Sequence, residues 1–137
     1  MTAPNISNPT HPTAAMNQVR LPRTAALGPG LGGQPRLLID APAGAAEIYL
    51  HGATLTSWVP RGGSEVIFTS RQAVFDGSTA IRGGIPLCLP EFGVGINGDA
   101  VPKHGWARIA PWQLRMVAST DDGGVRALLS VSRNHLT

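Results

Sequence analysis

Two short stretches of this 137-residue chain concentrate side chains able to grip an anion or move a proton. The first runs Ala80-Ile81-Arg82-Gly83-Gly84-Ile85-Pro86 and on to Glu91-Phe92-Gly93. Arg82 can present a planar fork of donors to a phosphate or carboxylate. Gly83 and Gly84 let the backbone come close to a ligand or another strand, and Pro86 and Pro90 stiffen the path. The second stretch, Val101 to Arg108, packs Lys103, His104 and Arg108 into six residues. That cluster suits an anion and includes one group that titrates near neutral pH.

Each residue also has a plainer role open to it. Arg82 can be solvated or cap a carbonyl, and His104 can be a turn residue satisfied by backbone. Glu91 can be a general base or a surface carboxylate at a turn. Trp106, Trp112 and Phe92 are read as core, and His51 as the end of a strand. The Gly28 to Gly33 segment lacks the Lys-Ser/Thr ending and the flanking strand and helix of a phosphate loop, so it is set aside.

The elements that must position these loops are strands. From Leu37 the apolar residues recur with period two. Leu37-Leu38-Ile39 is a first short strand, closed by Asp40-Ala41-Pro42. Glu47 to His51 places Ile48 and Leu50 on one face, and Ala53 to Val59 follows after Gly52. Pro60-Arg61-Gly62-Gly63 predicts a turn and Glu65 to Thr69 a return strand. A second hairpin sets Trp112, Leu114 and Met116 against Gln113, Arg115 and Val117. It turns at Asp121-Asp122-Gly123-Gly124 and returns with Val125, Ala127, Leu129 and Val131 on one face. Residues 70 to 111 lie between the hairpins as a long Gly- and Pro-rich connection, the kind of segment that usually carries function. The fold class expected is all-β, built from antiparallel hairpins, with no strand-helix-strand rhythm and no internal repeat.

Composition narrows the function. Residues 1–36 carry Arg20, Arg23 and Arg36, no acid and half of the twelve prolines, and are expected to be a flexible tail. The rest, 37–137, is expected to hold one β-sandwich region, since this length leaves little room for a second domain. The net charge of +3 therefore sits in the tail. Ten Arg and one Lys are scattered, whereas nucleic-acid binding needs a clustered stripe, so no nucleic-acid partner is expected. The lone Cys88 excludes an intrachain disulfide and a cysteine-cluster zinc site. Without a secretory apolar core or an apolar run near 20 residues, the expectation is a cytoplasmic protein with no membrane partner.

Taken together, Ile48-Tyr49-Leu50-His51-Gly52-Ala53, Ile81-Arg82-Gly83-Gly84-Ile85-Pro86, Phe92-Gly93 and His104-Gly105-Trp106-Ala107-Arg108 are more specific. In order and approximate spacing, over about residues 37 to 133, they resemble the hexose-6-phosphate mutarotase branch of the aldose 1-epimerase superfamily. The resemblance implies a galactose-mutarotase-like sandwich of antiparallel sheets, incomplete in this chain. It implies interconversion of the α and β anomers of glucose 6-phosphate and similar hexose 6-phosphates, with no metal or organic cofactor and a monomeric state. It also implies substrate-binding roles for Arg82, Lys103, His104 and Arg108. Lys103 stands where the family usually has Gln, and Trp106 where Phe is common. The family's chemistry is proton transfer: a base takes the anomeric hydroxyl proton and an acid protonates the ring oxygen, so the ring opens and closes on the other face. The family's acidic His, its basic Glu and a substrate-binding Asp find no matching position before Thr137. The chain is accordingly expected to be a truncated form without catalytic residues of its own. A non-catalytic sugar-phosphate-binding module is the alternative, and a neutral-sugar mutarotase a third.

Overall fold

The computed structural model describes residues 19–133. It is built of antiparallel strands: β1 Ala25–Pro29, β2 Pro35–Ala41, β3 Gly44–Tyr49, β4 Thr54–Pro60, β5 Gln113–Ser119 and β6 Val125–Ser130. Single 3-10 turns form at Leu31–Gly33 and Ala107–Ile109. Strands β1 to β4 form a four-stranded meander in sequence order, and β5 pairs with β6 as a separate ribbon.

The ribbon packs on one face of the meander. Leu37 and Leu50 from the meander meet Leu114 and Val117 from β5, with Leu27, Ile39, Ile48, Ala127 and Leu129 around them. Ile48 and Leu50 do share a face, as their spacing predicts. Full burial of a side chain such as Leu37, which is 0% exposed, contributes about 1.5–3 kcal/mol of transfer free energy. On the opposite face Tyr49, 1% exposed, packs its ring on Phe75 at 4.9 Å between centroids. Its hydroxyl accepts a 2.9 Å hydrogen bond from the Leu31 N–H, so the first hairpin turn is tied to β3. The Arg36 guanidinium pairs with the Glu47 carboxylate across the β2–β3 ladder, which holds Arg36 above its usual range.

Three expectations need correction. Ordered sheet begins at Ala25, not Leu37: β1 pairs with β2 from Ala25↔Ile39 to Pro29↔Pro35, and Gly28 to Gly33 is the hairpin end between them. Val19, Leu21, Ala25 and Leu27 pack against the core, so part of the expected tail belongs to the sandwich. Residues 1–18 of that tail lie outside the described residues. The sequence signal failed here because Ala, Gly and Pro are weak strand formers, while pairing and burial decide the matter.

Glu65 to Thr69 runs extended but forms no strand, making one bridge between Thr69 and Gly83. The Glu65 carboxylate takes the Trp58, Val66 and Ile67 N–H groups at 2.8, 3.1 and 3.4 Å. A side chain thus takes the Trp58 and Ile67 N–H groups and shares that of Val66, which also donates to the Trp58 carbonyl at 3.0 Å. Hydrogen bonds from the Ser57 side chain and from these amides hold the Glu65 carboxyl below the usual range.

Finally, the alternation in β5 breaks. Leu114 pairs with Leu129 but Met116 with Leu128, so Arg115 is an extra residue in a bulge. The bulge turns Val117 inward beside Leu114 and leaves Met116 40% exposed. Period-two spacing had put Leu114 and Met116 together. The bulged register predicts that Leu114→Ala costs about 2–5 kcal/mol, whereas Met116→Lys stays within about 0.5 kcal/mol. Urea unfolding of the two variants checks this. Equal losses would restore strict alternation.

Candidate functional site

The two loops that carry Arg82 and Arg108 are both anchored at the end of β3 and the start of β4. At the first anchor, the Gly84 N–H donates to the Phe68 carbonyl at 2.8 Å and the Ile85 N–H to the Leu55 carbonyl at 2.9 Å. The Arg82 carbonyl accepts from the Ser70 N–H, also at 2.8 Å. These bonds fix the backbone and leave the Arg82 side chain exposed, with no hydrogen-bond or ion-pair partner among the described residues.

At the second anchor, the Gly52 N–H donates to the Ala110 carbonyl at 2.8 Å and the Trp112 N–H to the Leu50 carbonyl at 2.9 Å. Gly52 has φ +72° and lies so close to the Arg108 carbonyl that a Cβ would sit 2.5 Å from that oxygen. No other residue fits this turn without moving the Ala107–Ile109 helix that carries Arg108. His51 braces it from beside: buried, it bonds through Nε2 to the Thr79 carbonyl at 2.7 Å. A carbonyl only accepts, so Nε2 carries the proton. Thr79 is held in turn by Asp76, whose carboxylate accepts the Ser78 and Thr79 N–H groups at 2.9 and 3.2 Å. Those bonds push the Asp76 carboxyl down to about 2. The structural part expected for His51 is therefore what the geometry shows. Gly52 and Leu55 are three residues apart, so these two anchor points fall within about 11 Å of each other along the chain.

The structure brings Lys103, His104 and Arg108 together directly. One Arg108 Nη2–H donates to the Lys103 carbonyl at 3.0 Å, bending the guanidinium back over the 103–108 turn. Arg108 Nε is buried without a hydrogen-bond partner. Half-buried His104 is held below its ordinary value, first by desolvation and then by the Arg108 and Lys103 cations. Arg82 makes no direct contact with this trio. The geometry links it to them through neighbouring anchors, the 50–52 turn for the Arg108 loop and Leu55 at the start of β4 for the Arg82 loop.

Three features of this region were not evident from the sequence. Gly105 lies against the strand-like Leu87 to Leu89 segment, pairing in parallel with Leu89, and the Leu89 carbonyl accepts from the Ala107 N–H at 3.2 Å. Phe92, read as core, is 78% exposed and sets its ring 4.9 Å from the His104 imidazole, tilted by 59°. Trp112 is half-buried and donates its Nε1–H to the Ala107 carbonyl at 2.8 Å, bracing the helix under Arg108. Glu91 is exposed and closes over Gly95, as a surface carboxylate would. Among the described residues no three of His, Cys, Asp and Glu are grouped so as to hold a metal ion, and no helix is long and apolar enough to cross a membrane.

Two shallow grooves lie elsewhere. One, of about 470 Å³, runs over the meander face bearing Leu38, Asp40 and Arg61. The other, of about 490 Å³, lies beside Leu31, Arg71 and Phe75. Neither is lined by Arg82, Lys103, His104 or Arg108.

With this geometry in place, the comparisons with known proteins can be set beside it. Residues 35–135 match the family model described as aldose 1-epimerase. A proposed glucose-6-phosphate 1-epimerase of Salmonella typhimurium is 37% identical over 101 residues, 74% of this chain and 34% of that protein. One of Escherichia coli is 40% identical over 87 residues, 64% of this chain and 29% of that protein. The crystal structure of a proposed mutarotase from Salmonella typhimurium superposes with a TM-score of 0.74 at 30% identity, over 91% of this chain and 43% of that one. The antiparallel architecture is thus the mutarotase-like one. The chain spans about a third of the length of these curated relatives.

The contact between Gly105 and Leu89 generates a test. Gly105 has φ +78°, and a Cβ there would collide with the Leu89 carbonyl. Gly62 has a similar φ of +75° but open space around it. Gly105→Ala should cost upwards of about 2 kcal/mol and expose residues 89–105 to protease, while Gly62→Ala costs only the backbone strain of about 1 kcal/mol. Equal costs would show that the close approach carries no weight.

Proposed function

We propose, from the premise that this chain belongs to the aldose 1-epimerase family, that it takes part in interconverting the anomers of hexose 6-phosphates. The observation that carries the reading is the cluster of Lys103, His104 and Arg108 in one turn, where both cations lower the His104 pKa and neither is ion-paired among the described residues. Arg82 lies on a second loop, anchored at Leu55 just beyond the 50–52 turn that holds the Arg108 loop. A neutral sugar has no need of such cations, whereas a phosphate monoester matches a guanidinium fork. The names of the relatives, as proposed glucose-6-phosphate 1-epimerases, support the same substrate class.

In this reading Arg82 and Arg108 clamp the charged end of the substrate. Lys103 replaces a neutral amide by a cation, so it attracts the phosphate but accepts no hydrogen bond from a sugar hydroxyl. His104 lines the sugar. The part these residues play in the reading is to bind and orient the sugar phosphate. Holding the sugar phosphate in one pose is itself a large share of such catalysis, because it removes orientational freedom before the proton transfers begin.

Calorimetric titration of the full chain with glucose 6-phosphate tests the reading. Binding is expected, and Arg82→Ala or Arg108→Ala should each weaken it by roughly tenfold to a hundredfold, the value of one charged hydrogen bond. The chain alone should not accelerate mutarotation of glucose 6-phosphate above buffer in polarimetry. No binding, or binding indifferent to both substitutions, overturns the phosphate clamp. Robust catalysis overturns the binding-only part, and a preference for unphosphorylated galactose shifts the family role to neutral sugars.

A further inference from the structure

His104 and Gly93 hold each other by two hydrogen bonds. The His104 backbone N–H donates to the Gly93 carbonyl at 2.7 Å, and the Gly93 N–H donates to His104 Nδ1 at 2.9 Å. Together they close the loop from Gly93 to His104 into a ring. An amide N–H can only donate, so Nδ1 must offer its lone pair, and the single proton of a neutral imidazole then sits on Nε2. His104 adopts φ +67°, a left-handed backbone conformation that a bulky residue rarely takes. Phe92 lies against one side of the ring. The side chain is thus fixed in position and in tautomer.

We propose that the Gly93–His104 pair is a tautomer lock that makes His104 a hydrogen-bond donor through Nε2, and that proton uptake at Nδ1 releases the 93–104 loop. This rests on the reading of the Lys103–Arg108 turn as a sugar-phosphate site, and it sharpens the role of His104 there. A locked His104 gives a proton-bearing nitrogen to a sugar oxygen and has no free lone pair with which to take a proton. It positions the substrate and is not a base. Once Nδ1 is protonated, two N–H groups face each other and the second bond of the ring is lost.

The charged groups acting on His104 are Arg108 and Lys103, both cations, which oppose a further positive charge. Glu91 lies two residues from Gly93, but its carboxylate is turned onto Gly95. The sign follows. With the folded-state value below the ordinary 6.5, the unfolded chain binds the proton first. The lock is at full strength above about pH 6.5, weakens as pH falls below that, and is lost as His104 itself titrates.

Imidazole nitrogen NMR on the ligand-free chain reads the tautomer without any sugar, so it stands or falls separately from the binding reading. Nδ1 of His104 is expected to be unprotonated and Nε2 protonated at pH 7.5. The Gly93 amide should exchange slowly there and speed up at least tenfold, beyond the intrinsic pH effect, as His104 titrates. His104→Asn keeps an acceptor and tolerates the left-handed backbone, so it should protect Gly93 with no such step. A proton on Nδ1 in the wild-type chain, or Gly93 protection indifferent to the His104 titration, would overturn the lock.

Discussion

The turn His51-Gly52-Ala53 is where the separate parts of this molecule are tied together. It ends β3, starts β4, receives the Ala110 carbonyl on the Gly52 N–H and sends His51 to the Thr79 carbonyl. Immediately before it, the Leu50 carbonyl takes the Trp112 N–H that leads into β5. One turn therefore fixes the angle between the meander and the ribbon, the seat of the Arg108 helix and one end of the 70–79 segment. The constraint is steric as much as electrostatic. Gly52 leaves no room for a Cβ against the Arg108 carbonyl, so the backbones touch, and a main-chain contact of this kind transmits position with little slack.

From that joint outward, order is provided mainly by hydrogen bonds. The core between the sheets is small, and the loops that bear the candidate site add the buried residues Ile81, Ala107 and Ala110. Most of the exposed large apolar side chains lie between Val66 and Val101, among them Phe68, Phe92 and Ile96. What holds this layer is a succession of local devices: the Asp76 cap, the Glu65 clamp, the Leu89–Gly105 pairing and the Gly93–His104 ring. Such devices define short loops well and leave side chains such as Arg82 and Lys103 free to meet a ligand. That suits the proposed grip on a charged sugar.

Much of this was legible in the sequence, for identifiable reasons. Gly and Pro mark the turns, and Ile48, Leu50, Ala127 and Leu129 show their faces because a half-buried strand repeats every two residues. The motifs around Arg82 and Arg108 mark the loops that the structure anchors at the 50–52 turn and the start of β4. The bulge at Arg115 was hidden, since an inserted residue changes the period without leaving a distinctive residue type. The strand at Ala25–Pro29 was hidden too, because its small residues signal neither strand nor core until β2 pairs with it. Glu65 misled for the opposite reason: its neighbours have a strand pattern, and only the fold shows its carboxylate taking the amides of Trp58, Val66 and Ile67. Phe92 was read as core from its residue type, and exposure on a loop beside His104 is decided by tertiary context alone.

The central claim is that two loops, one anchored on the 50–52 turn and the other at Leu55 on β4, form one anion-binding surface. Amide chemical-shift mapping with glucose 6-phosphate tests it most directly, with glucose as the uncharged control. The account predicts that the phosphate ester shifts the Arg82 to Gly84 and Lys103 to Arg108 amides in the same titration with one affinity, and that glucose does not. Shifts confined to one loop, or centred on the grooves beside Asp40 or Phe75, would contradict it.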